Sequence, residues 1–330
     1  MASIMTNSAA LTALQSLNAT QNNLSTTQAR ISTGYRVSQA SDNAAYWSIA
    51  TTMRSDNQAM STVSDSLGLG ASKVDTAYTG MNSAIDTINQ IKQKLTASYG
   101  QTDASKEKTQ VEIAALQKQL KGYADSATFS GTNMLSVNSG TAATAADVKI
   151  VSAFNRDSSG AASISTIDVN VESTKLYEAG SAAGKGILDA ARLGSDGSVT
   201  ATAAAPAAGA AVAAGDTYSV ASLKIFDTAT SKAFSDAQIA QQMTVVDAAL
   251  KDMTNAASTL GAAKSSIDLQ KTFTQNLMDS IDRGVGQLVD ADMNKESTRL
   301  QALQVQQQLG VQALSIANGS SQSILSLFRG

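Results

Sequence analysis

Histidine and cysteine are both absent from the 330 residues, and proline and tryptophan each occur once. Without cysteine there is no disulfide, no thiolate nucleophile and no cysteine-ligated metal; the redox compartment stays open, because an exported protein can simply lack the residue. Without histidine the commonest metal ligand is missing, as is the side chain best placed to move protons near neutral pH. No enzymatic activity and no cofactor are therefore expected. Aromatic residues make up only 4% of the chain, although 43% is apolar. Much of that fraction is alanine, which buries little area, so a conventional compact core would be thin for this length. An elongated helical architecture that depends on assembly fits better. Charge of either sign is also scarce. With 24 basic and 27 acidic residues the net charge is −3, too little basic field for nucleic acid or an anionic membrane to be a partner. There is no run of about 18 apolar residues, and the start MASIMTNSAALTALQSL lacks a basic segment followed by an unbroken apolar one. If the protein leaves the cell, the expected route has no cleaved signal peptide.

What is present is arranged asymmetrically. No Asp, Glu, Lys or Arg occurs from Met1 to Ala29, and none from Leu300 to Phe328. Both ends are nevertheless amphipathic. Leu17, Leu24 and Ile31 repeat every seven residues, with Ala10 continuing the row and Leu14 beside it. Leu300, Leu303, Leu314, Ala317, Ile324 and Phe328 follow the same spacing, interrupted by Gln307, Gly310 and Ser321. The remaining positions carry mainly neutral amides and hydroxyls, which can be packed against neighbours without the cost of desolvating charge. One such helix would ordinarily dock on its own domain; two matched uncharged ends point to burial in an assembly.

Between the ends, ARISTGYRVSQAS breaks the first helix at Gly34, and Ser41 or Asp42 is placed to cap the next. From Asn43 to about Tyr99, apolar residues at three- and four-residue steps predict a rod of roughly 85 Å. Further helices are predicted over about Ala104 to Ser126 and Ser235 to Gly286, giving an antiparallel bundle. From about Ser139 to Ala233 the pattern changes to short β-favouring runs, including Val148, Ile150, Ile164, Ile167, Val169, Val171, Tyr218, Val220, Leu223 and Ile225. The alanine-rich stretch around Pro206 predicts a flexible loop or linker. The fold class is thus mainly α: a long antiparallel helical bundle with coiled-coil-like terminal helices and a small β-rich central insertion. The expected division is 1–40 with 293–330, 41–138 with 235–292, and 139–234.

The order of these elements resembles that of bacterial flagellins, and so does the wording. In LNATQNNLSTTQARISTGYRVSQASDNAAYWSIA, Leu24, Ile31, Ser32, Gly34, Arg36, Ala40, Asp42, Ala44 and Ala45 stand at matching places. In DADMNKESTRLQALQVQQQLGVQALSIANGSSQSILSLFRG the match runs through Asp290, Ala291, Asp292, Glu296, Gln307, Gln308, Leu314, Ala317, Asn318, Leu325, Leu327 and Arg329. The short insert is similar to that of alphaproteobacterial, rhizobial-type flagellins. The chain departs from the family at Leu288 and Val289, where an Arg and an acidic residue are common, and at Tyr35 and Asn43.

The resemblance implies a secreted, extracellular filament subunit that polymerises with itself and possibly with other flagellins. It implies an inner tube of terminal helices, a surrounding layer of long helices and an outer insert. It also implies export in an unfolded state through the flagellar secretion apparatus with a chaperone, and contact with cap and hook-junction proteins. The candidate assembly residues are Leu14, Leu17, Leu24, Ile31, Arg36, Asp42, Leu300, Leu303, Leu314, Ile324 and Leu327. A junction or adapter protein of the same appendage would share both signatures, whereas a secreted adhesin with coiled-coil ends would not explain them. A zinc protease carried in the insert, as in some flagellins, needs a His-Glu-x-x-His site that a chain without histidine cannot build. Asp290 and Asp292, two apart, do not share a helix face, so contacts that end a helix or meet a partner are expected of them. Trp47 is expected to pack on the bundle. In flagellins detected by the animal innate-immune flagellin receptor, one helix carries an Arg-centred segment; aligned on Ile85, Ile88 and Ile91, that segment here presents Gln90, Lys92 and Gln93, which predicts weak detection.

Overall fold

The computed structural model describes residues 7–140, 144–157, 159–180 and 185–327, with side chains described as far as residue 319. The long elements are α1 (Ser8–Thr33), α2 (Ala44–Ser98), α3 (Asp103–Ser126), α4 (Asp236–Val289) and α5 (Met293–Leu327). The bounds of α2, α3 and α4 fall within three residues of those the apolar spacing predicts. The chain divides into two compact units, residues 60–276 and residues 1–59 with 277–330.

In the unit 60–276 the core follows a strict repeat. Along α2, Met60, Leu67, Val74, Met81, Ile88 and Leu95 recur every seven residues and are all buried. Along α4, Ile239, Val246, Met253, Leu260 and Ile267 do the same. A seven-residue apolar period keeps one seam of each helix facing its partner, as in a coiled coil. Ion pairs fix the direction: Lys92 meets Asp247 at 2.6 Å and Lys264 meets Asp75, so α2 and α4 run antiparallel. Helix α3 adds Ile113 and Leu120 to the same core and ties to α2 through Lys94 and Glu112 at 2.6 Å.

The insertion holds short strands: β1 (Thr128–Phe129), β2 (Thr132–Asn133), β3 (Ser136–Val137), β4 (Val148–Arg156), β5 (Ala162–Val169), β6 (Tyr177–Glu178), β7 (Arg192–Leu193), β8 (Thr217–Tyr218), β9 (Phe226–Asp227) and β10 (Lys232–Ala233). They form five two-stranded pairs among the described residues, and β3 with β6 is the parallel one. The hairpin β4–β5 rests on α2 at Gly70, where a Cβ would overlap the side chain of Ile150. Arg192 fastens the insertion to α4, its guanidinium 2.6 Å from Asp252 and 3.1 Å from the Gly197 carbonyl. Val220 lies in a short 3₁₀ turn (Val220–Ser222), and Leu223 and Ile225 are buried outside strands.

The alanine-rich stretch is a loop, but it is held more firmly than its composition suggests. The Gln238 side chain accepts from the Gly209 N–H at 3.1 Å and donates to the Ala207 carbonyl at 2.9 Å, and Gln241 donates to the Ala213 carbonyl. Composition reports only the loop's own side chains; the glutamines that satisfy its backbone come from α4.

Candidate assembly surface

The unit 1–59 with 277–330 is built around two helix ends and two turns. Asn7 caps α1 by accepting the Ala10 N–H at 3.1 Å. Gly34 ends that helix with φ +75°, a left-handed conformation that glycine adopts without a Cβ clash. The chain then lies on the end of α4: the N–H groups of Arg36 and Val37 donate to the Val289 carbonyl, and Ala291 donates to Gly34. Val37, Ala50, Val285 and Val289 close into a small apolar core. Arg36, although exposed, donates to the Leu288 carbonyl at 3.0 Å and so pins this turn.

Capping of α2 differs from the expectation. Asn43 accepts the Tyr46 N–H at 3.1 Å, whereas the exposed Asp42 turns back and accepts from the Ser38 N–H, Ser38 Oγ and Gln39 N–H. The Ser38 backbone bond, followed by that of Gln39, holds the Asp42 carboxyl below the usual range. A backward bond network outcompetes the cap because three donors converge on one carboxylate oxygen. Asp292 caps α5, accepting from the N–H groups of Asn294 and Lys295, which is the helix-terminus role expected for this stretch. Trp47 remains 38% exposed, with Tyr46 and Ile49 beside it also exposed; the chain alone does not bury it.

Helices α1 and α5 pair antiparallel. Arg30 meets Glu296 at 3.4 Å, Gln307 donates to Gln21 at 2.8 Å, and Asn7 donates to the Ala317 carbonyl at 2.9 Å. Between these links Leu17 lies over Gly310, where a Cβ would come within 3.2 Å of Leu17 Cδ1. The seam on α5 is Glu296, Leu300, Leu303, Gln307, Gly310, Leu314 and Ala317, every third or fourth residue, all buried or half-buried. Gln307 and Gly310, which interrupt the apolar pattern, are therefore members of the seam. On α1 the matching row includes Leu17 and Ile31, both half-buried, and Leu24, 7% exposed.

The candidate residues thus separate. Leu17, Leu24, Ile31, Leu300, Leu303 and Leu314 lie along the seam that joins the chain's own two ends. Arg36 and Asp42 organise the turn. Leu14 is 43% exposed and Leu11 54%, off the seam. Ile324 and Leu327 lie outside the residues whose side chains are described. A set that the sequence reading passed over lies on α5: Val305, Leu309 and Ile316 are 55, 58 and 73% exposed. At about 100° per residue they share one narrow stripe roughly opposite the seam. Their spacing was readable in the sequence, but which of two apolar stripes α1 covers was not. Glu296, at the start of the seam, keeps Oε2 buried and without a hydrogen-bond partner. Among the described residues no cluster of metal-ligating side chains occurs. In the other unit, Gln90 and Gln93 are exposed, and Lys92 is engaged with Asp247.

Residues 4–140 match the bacterial flagellin N-terminal helical region, and residues 243–328 match the bacterial flagellin C-terminal helical region. Over its full length and theirs, the chain is 48% identical to Flagellin C of Rhizobium meliloti (strain 1021) and 45% identical to Flagellin of Brucella melitensis biotype 1. It is 43% identical, again over both full lengths, to Flagellin A of Rhizobium meliloti (strain 1021).

Proposed function

The chain belongs to the bacterial flagellins, and we propose that its paired helices α1 and α5 are the element through which successive copies join. As a flagellin it is a structural subunit of the extracellular flagellar filament, not an enzyme, and it polymerises with itself and with other flagellins.

The observation that carries the reading is that α5 has two apolar stripes and α1 covers one. Leu24 and Leu303 are the apolar side chains fully buried on the α1–α5 seam among those described. With so little apolar side chain enclosed between them, the pair gains its stability by meeting further copies, which would cover Leu11, Leu14, Val305, Leu309 and Ile316. Folding of the ends and assembly are then one coupled event. The absence of charge from Met1 to Ala29 and from Leu300 to Phe328 serves the same end, since little charge is desolvated when copies close around these stretches.

In this arrangement residues 1–40 and 293–330 form the inner tube, 41–138 and 235–292 the layer around it, and 139–234 the outer domain. A chain without disulfides that is ordered at its ends only on assembly suits export unfolded through the flagellar secretion apparatus, with a chaperone holding the C-terminal segment. Cap and hook-junction proteins meet the same terminal helices at the two ends of the polymer.

The test is Ile316→Asp, which leaves the α1–α5 seam untouched. Monomers of normal helicity that fail to sediment as filaments are the expected outcome. Filaments of normal length, seen by electron microscopy, would refute the reading.

A further inference from the structure

Asn318 and Gly319 form the one Asn-Gly pair in the chain, and they lie inside helix α5. An asparagine side chain can be attacked at Cγ by the backbone nitrogen of the residue that follows it. Glycine in that position removes the Cβ that otherwise hinders the approach. The reaction also needs the backbone opened. At the helical ψ of about −42° the Gly319 nitrogen is turned along the helix axis, away from Asn318 Cγ. Helix α5 is therefore the lock on this pair, and how firmly it closes depends on what surrounds it. Asn318 is exposed, one residue past Ala317, whose carbonyl accepts from Asn7 Nδ2 at 2.9 Å. The seam leading up to it encloses little: Leu314 and Ala317 are only half-buried, and Gly310 has no side chain. Gly319 adds a residue of poor helix propensity at the position where the lock must hold.

We propose that Asn318 is a site of spontaneous deamidation governed by assembly, open in the free subunit and closed in the polymer, and that its conversion withdraws the chain from polymerisation. The inference rests on the reading that α1 and α5 gain their order from further copies. In the free subunit α5 opens at Gly319, and Asn318 reaches the reactive conformation. A bond forms between Gly319 N and Asn318 Cγ. The side-chain nitrogen leaves as ammonia, taking the proton of the Gly319 N–H, and a cyclic imide remains. Water then adds across one of the two imide C–N bonds, giving either aspartate or the isomer whose backbone runs through the side chain. Water is the only co-reactant. The product places a carboxylate in a stretch, Leu300 to Phe328, that otherwise has no Asp, Glu, Lys or Arg. Copies closing around α5 would have to desolvate it. The isomer also inserts an atom into the main chain, which breaks the hydrogen-bond ladder of the helix.

The experiment holds the full chain below its critical concentration and, in parallel, as filaments, in one mildly alkaline buffer at one temperature. Peptide mass spectrometry, with isoaspartate separated from aspartate by chromatography, reads residue 318. Conversion at least tenfold faster in the monomer is the expected result. Gly319→Ala, whose added methyl meets open space, should suppress conversion at least tenfold and keep the helicity and assembly of the parent. Asn318→Asp should keep the monomer's circular dichroism and raise the critical concentration for polymerisation at least tenfold. Equal conversion in monomer and filament, or assembly of Asn318→Asp at the parent concentration, overturns the proposal. The two readings fail separately. Normal filaments of Ile316→Asp refute the terminal-helix reading, whereas equal conversion in the two states, with Ile316→Asp unable to polymerise, refutes this one alone.

Discussion

Lys175 has a side chain only 1% exposed and sits between Glu172 at 2.9 Å and Glu178 at 3.2 Å. Burial alone would raise the Glu178 carboxyl. The Ser139 N–H and hydroxyl, the Gly180 N–H and the Lys175 ammonium outweigh it and hold the group down at about 2. Burial likewise lowers the Lys175 ammonium, but the two glutamates win and raise it. Because Glu178 titrates lower in the folded chain than its ordinary value of 4.5, its stabilisation is complete above that value and is lost as pH falls towards 2. Lys175 has the opposite sign: its contribution is complete below 10.5 and is lost as pH rises through its raised folded value. Asp189, raised by burial, gains stability on acidification and partly offsets Glu178. Glu178→Gln leaves Asp189 in place, so the difference isolates one carboxylate. It should destabilise the insertion by about 3 kcal/mol at neutral pH and flatten the acid limb of melting temperature against pH; an unchanged limb would disprove the assignment. On α2, Gln90 and Gln93 are exposed and uncharged, and an amide cannot replace the fixed five-donor fork of an arginine. Losing a central Arg anchor costs about 2 kcal/mol, roughly thirtyfold in affinity. Gln90→Arg is therefore expected to strengthen the response of a reporter cell carrying the animal flagellin receptor. A potent response to the unmodified monomer at low dose would show that the Arg is dispensable.

At the scale of elements, the long helices were legible because a seven-residue period sustained from Met60 to Leu95 and from Ile239 to Ile267 leaves no other solution. The seam of α5 was legible only in part. Gln307 and Gly310 read as interruptions, yet they are seam positions because Gln21 offers an amide acceptor to one and Leu17 fills the space above the other. No inspection of α5 alone reveals a complementary residue on α1. Gly310→Val tests this directly. Its Cβ would already crowd Leu17 at 3.2 Å, and the branch adds further overlap. The expected result is a monomer whose core melts normally and whose critical concentration for polymerisation rises more than tenfold. Assembly at the parent concentration would mean that the two helices separate before they polymerise. The cap of α2 was misread for a similar reason: Ser41, Asp42 and Asn43 are all capping residues, and the turn on Val289 selects Asn43.

At the scale of the whole chain, the core of residues 60–276 is built, among the described residues, from that unit's own side chains. Removal of residues 1–30 or 300–330 should therefore leave a soluble protein with the bundle's helicity and melting transition but no capacity to sediment as filaments. Filaments formed by either truncated chain would contradict assembly through the ends. The sequence by itself determined the helical class, the placement of the insertion, the absence of histidine-dependent chemistry and the family. Each follows from the order of residue types and the period of their apolar members, which are properties of a single segment. The tertiary structure decided which apolar stripe of α5 meets α1 and which remains open at Val305, Leu309 and Ile316. It also decided where α3 stops along α4, which leaves Leu269 and Phe273 uncovered. Both depend on the register between segments far apart in the chain, which the pairings of Arg30 with Glu296 and of Lys264 with Asp75 mark and which no single segment records.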